Sequence, residues 1–247
     1  MIDRQNLVRV EDCTLPLLNK HNAQERSLWL PQAQVVLPLS YRISAGHSHP
    51  VRPPQPTGVV YRRYIPWLER TLSFRVADAE ADLPHFHRWM NDPHVAEFWE
   101  EEGDTDYHRA YLERLGADAH SLPLIACLDE RPIGYFEVYW AKEDRISPFC
   151  EAADFDRGWH VLIGEADCRG KAFVSAWLPS ISHYLFLDDS RTRRLVIEPR
   201  SDNQRMRRNL QRSGYDLLHE FDFPHKRAVL GVLPRQRFFE EQFWAPQ

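Results

Sequence analysis

The stretch Gly164-Glu165-Ala166-Asp167-Cys168-Arg169-Gly170-Lys171-Ala172 lies between a strand-like apolar segment and the longest helical segment of the chain. A strand, a short glycine-bearing loop and a helix can hold phosphate groups. Free N–H groups of the first helical turn point outward there, and the helix dipole favours an anion. Gly170 and Ala172 leave the backbone uncovered, while Arg169 and Lys171 add positive charge. The loop is neither GxxxxGK followed by Ser or Thr nor GxGxxG, so it signals neither a P-loop nor a dinucleotide fold. Taken alone, it reads equally as the start of an ordinary helix. His47-Ser48-His49, with His21 as a third member, has the look of a metal pair, but in a proline-rich run it reads as solvated, and no metal is expected. No GxSxG supports serine-hydrolase chemistry. Cys13, Cys127, Cys150 and Cys168 are scattered without a CxxC pair, which excludes a zinc ribbon or thioredoxin-like site and suggests reduced thiols.

The elements that would position these groups follow from pattern. Eight of the 18 prolines fall within the first 66 residues, and His49-Pro50-Val51-Arg52-Pro53-Pro54-Gln55-Pro56 reads as an extended linker. Leu7–Val10 and Gln34–Leu39 read as short strands, so residues 1–70 are expected to be a small β-rich extension. From 71 to 247 the pattern is that of one α/β domain. Strands are expected over Thr71–Val76, Leu122–Leu128, Ile133–Tyr139, Gly158–Ile163, Arg193–Glu198, Tyr215–Phe221 and Arg227–Leu233. Helices are expected over Asp78–Met90, Asp104–Leu115, Ala172–Leu187 with a kink at Pro179, and Asp202–Arg212 ended by Gly214. Asp92-Pro93 reads as a break. The order β-α-α-β-β-β-α-β-α-β-β gives one mixed sheet with helices on both faces.

The chain has 247 residues, 43% hydrophobic and 27% charged, with a formal net charge of −5. That charge argues against nucleic-acid binding built on bulk positive charge, and the run Arg205-Met206-Arg207-Arg208 reads as a solvated helix face. No apolar stretch approaches the roughly 20 residues of a membrane span. The first residues, MIDRQNLVRVEDC, lack the apolar core of a signal peptide. A cytoplasmic protein without membrane or nucleic-acid partners is the expectation.

The register Asp167-Cys168-Arg169-Gly170-Lys171-Ala172 resembles the pyrophosphate loop of the GCN5-related N-acyltransferases (GNAT), Gln/Arg-x-x-Gly-x-Gly/Ala, and the element order matches that family over about residues 71–234. Asp167 stands where Gln or Arg is usual, so it is expected to turn away from the anion. Further stretches look like the siderophore-biosynthesis branch, which includes N-hydroxylysine acyltransferases of aerobactin-type pathways and the mycobactin lysine acyltransferase. They are Asn91-Asp92-Pro93 with Trp99, Gly134-Tyr135-Phe136-Glu137-Val138-Tyr139-Trp140, Arg157-Gly158-Trp159-His160, His183 to Asp189, Glu198-Pro199-Arg200-Ser201-Asp202-Asn203, and Glu220 to Arg227.

The resemblance implies a GNAT-like, mostly antiparallel sheet and an acyl-CoA co-substrate, acetyl-CoA or another, held by Ile163, Cys168, Arg169, Gly170, Lys171 and Ala172. It implies His160 and Asp202 as the proton-transfer pair, flanking the point where the fourth and fifth strands splay, with Asp202 also reading as a helix N-cap. Asn91, Trp99, Glu137 and Tyr139 would line the amine side, Glu137 and Tyr139 sharing one strand face. The implied reaction acylates N-hydroxyornithine or N-hydroxylysine to a hydroxamate. Another amine, or an acyl-carrier-protein donor, is the alternative within the class. A silent acyl-CoA-binding module is the alternative outside it, favoured by Asp167 and by Leu210, which stands where many relatives carry a tyrosine acid.

Overall fold

The computed structural model describes residues 7–10, 13–16, 23–32, 38–44 and 46–245. Two small hairpins come first, β1 (Leu7–Val10) with β2 (Cys13–Pro16), and β3 (Tyr41–Ser44) with β4 (His47–Pro50). The main sheet contains β5 (Val59–Ile65), β6 (Arg70–Val76), β7 (Ser121–Leu128), β8 (Arg131–Trp140), β9 (Arg157–Ile163), β10 (Arg194–Ile197), β11 (Asp216–Asp222) and β12 (Arg227–Pro234). Their spatial order is β11-β12-β10-β9-β8-β7-β6-β5, antiparallel throughout except for β9 beside β10. The expected α/β architecture, mostly antiparallel with helices on both faces, is what the chain adopts.

Strand alternation divides the core in two. On one face α5 (Lys171–Asp188) packs with Phe74, Phe136, Val138 and Trp159. Twelve of its eighteen residues are buried, as suits a helix apolar all round, and Pro179 sits inside it without ending it. On the other face, α1 (Leu83–Met90), α2 (Pro93–Trp99) and α3 (Thr105–Gly116) cover Ile125, Cys127, Tyr135 and Leu162. Among the described residues there are three further α-helices: α4 (Ser147–Cys150), α6 (Gln204–Arg212) and α7 (Arg235–Glu240).

Several expectations are corrected. The sheet begins at Val59, and the boundary placed at residue 70 falls inside the β5–β6 hairpin, whose pairing runs from Val59↔Arg75 to Ile65↔Arg70. Ala23, Trp29 and Leu30 are buried in the main core, so the preceding segment shares it. The helix expected from Asp78 starts at Leu83, because the Asp78 carboxylate accepts the N–H groups of Glu80 and Ala81 and closes a turn instead. Asp92-Pro93, expected as a break, starts α2. Asp92 accepts the His94 N–H at 2.9 Å, and Pro93 takes the first helical position, where no N–H is needed. His49 is not solvated but buried, with Nδ1 3.3 Å from Glu143. His21 and most of the strand expected over 34–39 lie outside the described residues.

Candidate active site

Strands β9 and β10 are parallel but share a single register pair, Leu195↔Arg157, after which they part. Between them opens a cleft of about 820 Å³. Alternation gives it two characters. Trp159, Val161, Ile197, Met206 and Leu210 line it on the α5 side, whereas Glu137, Tyr139, His160, Glu198 and Tyr111 supply polar groups on the side of α1 to α3. Gly158 permits the crowding at the point of parting. A Cβ there would lie 2.3 Å from both Tyr139 Oη and the Val196 carbonyl oxygen.

His160 sits between two carboxylates. Its Nε2 is 2.8 Å from Glu198 Oε1 and its Nδ1 3.4 Å from Glu137 Oε2. Glu198 follows β10 directly, with Pro199 ending the strand, and is almost fully buried. Tyr139 Oη donates to Glu198 Oε2 at 2.7 Å, and Lys226 and Arg145 lie 3.5 and 3.4 Å from Oε1. Glu137 Oε1 accepts the hydroxyls of Tyr111 and Tyr135 at 2.6 and 3.1 Å. Trp99 donates its indole N–H to the Val161 carbonyl at 3.1 Å and stands edge-on to His160.

These neighbours set the charges. Burial disfavours an ionised Glu198, but the His160 charge and hydrogen bond, with Lys226 and Arg145 beyond, outweigh it and hold the carboxyl well below the usual range. Burial likewise disfavours a charged His160. The Glu198 carboxylate and the hydrogen bonds to Glu137 and Glu198 overcome that and push the imidazole up to about 9. The two carboxylates favour the imidazolium, the form that can donate from both nitrogens.

The structure brings together His160, Glu137, Tyr139 and Trp99 but gives Asp202 another partner. Asp202 lies at the rim, largely exposed, and accepts Arg200 Nη2 and Nε at 2.7 and 3.1 Å. The expected pairing of His160 with Asp202 is replaced by the hydrogen bond from His160 to Glu198. The expected cap also moves by one residue, since Asn203 accepts the Met206 N–H at 3.0 Å. Asn91 is not part of the cleft wall. Its side chain clasps Gly103, donating to the carbonyl at 3.0 Å and accepting the N–H at 3.1 Å, and so ties down the loop after α2. Sequence reasoning missed Glu198 and Tyr111. Glu198 stood four residues before Asp202 in the same motif, with only its strand position to mark it.

The loop before α5 joins the end of β9 to the helix start through a tight turn. The N–H groups of Gly164 and Glu165 bond to the Ile133 carbonyl, and Ala166–Cys168 form a 3-10 turn. Asp167 does turn away, into a two-bonded ion pair with Arg131 at 2.8 and 3.0 Å. Arg169 is spent on the loop itself, donating to the carbonyls of Ile163 and Gly164 and to Asp92. The N–H groups of Cys168 and Arg169 are used within the turn. That leaves residues 170–173, at the start of α5, with N–H groups that have no intrahelical acceptor. Gly170 has φ +112°, and a Cβ built on it would meet nothing within 4 Å. Open space, free donors, the helix N-terminus and the exposed Lys171 fit a pyrophosphate.

The acetyltransferase (GNAT) domain family matches residues 78–223. Over 192 residues, 78% of this chain, there is 50% identity to the N(6)-hydroxylysine O-acetyltransferase of Escherichia coli, of which the match covers 61%. Over 203 residues, 78% of this chain, there is 43% identity to the N(5)-hydroxyornithine:cis-anhydromevalonyl coenzyme A-N(5)-transacylase of Beauveria bassiana, of which 43% is covered. The chain therefore spans about half the length of these curated relatives. Among solved structures, an uncharacterized protein of Bacillus halodurans superposes with a TM-score of 0.71 at 25% identity, over 77% of this chain and 97% of that one. An aminoglycoside acetyltransferase in complex with coenzyme A gives 0.63 at 25% identity, over 69% and 99%. A sheet that parts beside a glycine-opened helix N-terminus, and a match that runs from α1 to the end of β11, lead to one conclusion: this chain belongs to the GNAT acetyltransferase family.

Proposed function

We propose that the protein transfers an acyl group from acyl-CoA to the hydroxylated side-chain nitrogen of N-hydroxylysine or N-hydroxyornithine, making a hydroxamate for siderophore assembly in the cytoplasm. The carrying observation is His160, held between Glu198 and Glu137 where β9 and β10 part. The names of the relatives from Escherichia coli and Beauveria bassiana support the acceptor class. The free N–H groups of residues 170–173 support a pyrophosphate-bearing donor, acetyl-CoA or a longer acyl-CoA, ahead of an acyl carrier protein.

The thioester brings an acyl group that is already activated. The cleft walls align the acceptor nitrogen against it, which lowers the entropic cost of meeting. His160, once it has lost its resting proton, receives the proton that the nitrogen sheds as the C–N bond forms and the C–S bond breaks. Glu198 fixes the ring and stabilises the imidazolium that results. Tyr139 and Lys226 hold Glu198 in turn. Asp202 serves this arrangement from the rim by anchoring Arg200.

Thiol release from acetyl-CoA, followed with N6-hydroxylysine, N5-hydroxyornithine, lysine, ornithine and no acceptor, tests the reading. Turnover of the hydroxylated acceptors should far exceed a slow, measurable turnover of the parent amines, with a product that turns iron(III) solutions red, because a hydroxamate chelates iron(III) and an O-acyl isomer does not. A hydroxylated amine is less basic than its parent and needs less from the base. His160→Ala should therefore cost less with the hydroxylated acceptor than with the parent amine. Equal penalties would remove the base from His160.

A further inference from the structure

The segment from His49 to Gln55 lies outside the family match of residues 78–223, yet it bonds to two separate walls of the cleft. Arg52 is buried and donates Nε and Nη2 to the two oxygens of Glu143 at 2.7 and 2.6 Å. Its Nη1 reaches the Asp154 carbonyl at 2.8 Å, and its guanidinium lies 4.3 Å from the centre of the Trp140 ring. His49 adds a contact to the same Glu143. Three residues on from Arg52, Gln55 Nε2 reaches the carbonyls of Asp118 and Ser121 at 2.5 and 2.7 Å and that of Leu115 at 3.1 Å. One short length of chain thus fixes the loop after β8, which carries Arg145, and the end of α3, which carries Arg114.

Those two arginines differ from the other cations of the cleft. Arg200 is closed in an ion pair with Asp202 at 2.7 Å, Arg227 with Glu220 at 3.0 Å, and Lys226 donates to the Glu198 carbonyl at 2.9 Å. Arg145 is about half exposed, with a 3.4 Å contact to Glu198 as its one carboxylate contact among the described residues and the Phe223 ring centre 5.4 Å away, and Arg114, 5.0 Å from the Tyr111 ring centre, has no carboxylate partner among the described residues. Arg145 and His160 touch the same atom, Glu198 Oε1, so the guanidinium lies within the reach of a lysine- or ornithine-length side chain from the reacting position.

We propose that the His49–Gln55 segment is a strap that positions the acceptor half of the cleft, presenting Arg145, with Arg114 also on the cleft lining, to the carboxylate of an amino-acid acceptor. This rests on the acceptor class proposed above. Arg52 and Gln55 are positioning residues, acting through Glu143 and the 115–121 backbone. Arg145 makes the contact.

The experiment compares N6-hydroxylysine with N-hydroxycadaverine, the same side chain without the carboxylate, in the wild type and in Arg52→Met, Arg52→Lys, Gln55→Leu and Arg145→Leu. The wild type should prefer the amino acid, and Arg145→Leu and Arg52→Met should each reduce that preference about ten- to a hundredfold, the worth of a charge-assisted bond. The loss should fall on KM for the amino acid, with the affinity for acyl-CoA in calorimetry unchanged and partial recovery in Arg52→Lys. Amide exchange should quicken over residues 115–121 and 141–146 in Arg52→Met and Gln55→Leu but not over α5. If the strap variants slow both acceptors alike, or if exchange rises across the whole domain, the strap only stabilises the fold and the proposal fails. A wild type that turns over neither acceptor would overturn the proposed function instead, while the exchange pattern would still decide whether the strap holds those walls.

Discussion

His160 Nε2 and Glu198 Oε1 meet at 2.8 Å across the widening gap between β9 and β10. The contact joins residues 38 apart in the chain and ties together two strands that share only one register pair. It raises the imidazole and lowers the carboxyl, so the pair keeps its proton on nitrogen at neutral pH. The consequences for activity and stability can be measured separately.

For activity, kcat/KM should rise with pH and level off above about 9, as His160 loses its resting proton. Glu198→Gln removes the carboxylate that holds that proton and should move the inflection down toward the ordinary imidazole value of 6.5. The same variant loses the stabilisation of the imidazolium, and activity should fall about 10²–10⁴-fold, the range of a disabled proton-transfer group. Asp202→Asn, which loosens Arg200, should cost at least tenfold less than Glu198→Gln. Rate profiles and NMR titration of the His160 ring report the two quantities. An unmoved inflection in Glu198→Gln would separate Glu198 from the proton.

For stability, the sign follows from a folded value above the unfolded one. His160 contributes stability that is fully present below 6.5 and is lost as pH rises through about 9. The stability of the wild type should therefore drop across that window relative to His160→Gln, by denaturant melts at pH 6 and pH 9.5. A parallel pair of curves would exclude the linkage.

His183 runs the other way. It is fully buried, with Tyr61 Oη 2.9 Å from Nδ1 and the Ala23 carbonyl on Nε2, and burial pushes it down to about 3. The unfolded chain takes up this proton first, so stability should fall as pH drops from 6.5 towards 3. Denaturant melts of wild type and His183→Gln between pH 7 and pH 4 check this, with a shallower acid slope expected in the variant.

Gly170 tests the donor cradle. At φ +112° any side chain is strained, at about 1–3 kcal/mol, although no protein atom blocks a Cβ. Gly170→Val should also fill the space before residues 171–173. Acyl-CoA affinity by calorimetry should fall about tenfold or more, roughly the worth of one to two hydrogen bonds to a charged group, while acceptor KM changes little. An unaltered donor affinity would place the pyrophosphate elsewhere.

Much of this protein was readable from local chemistry. The order of most strands and helices follows from apolar spacing, and the turn before α5 from a glycine before a helix start. The expectation that Asp167 turns outward agrees with its ion pair to Arg131. These are short-range matters, settled by neighbours along the chain. What the sequence left open depended on residues far apart. Glu198 and Asp202 are both acids of one six-residue motif, and the family resemblance matched His160 to Asp202. The parting of β9 from β10 turned Glu198 inward with the last residues of its strand, while Arg200 captured Asp202 at the rim. The strand Val59–Ile65 was hidden because its partner is the next strand rather than its own pattern, and the linker became a strap because Arg52 meets Glu143 91 residues away. Burial supplies the reason in each case. A buried charge must be paired, and only the packed sheet determines which partner is close enough to pair it.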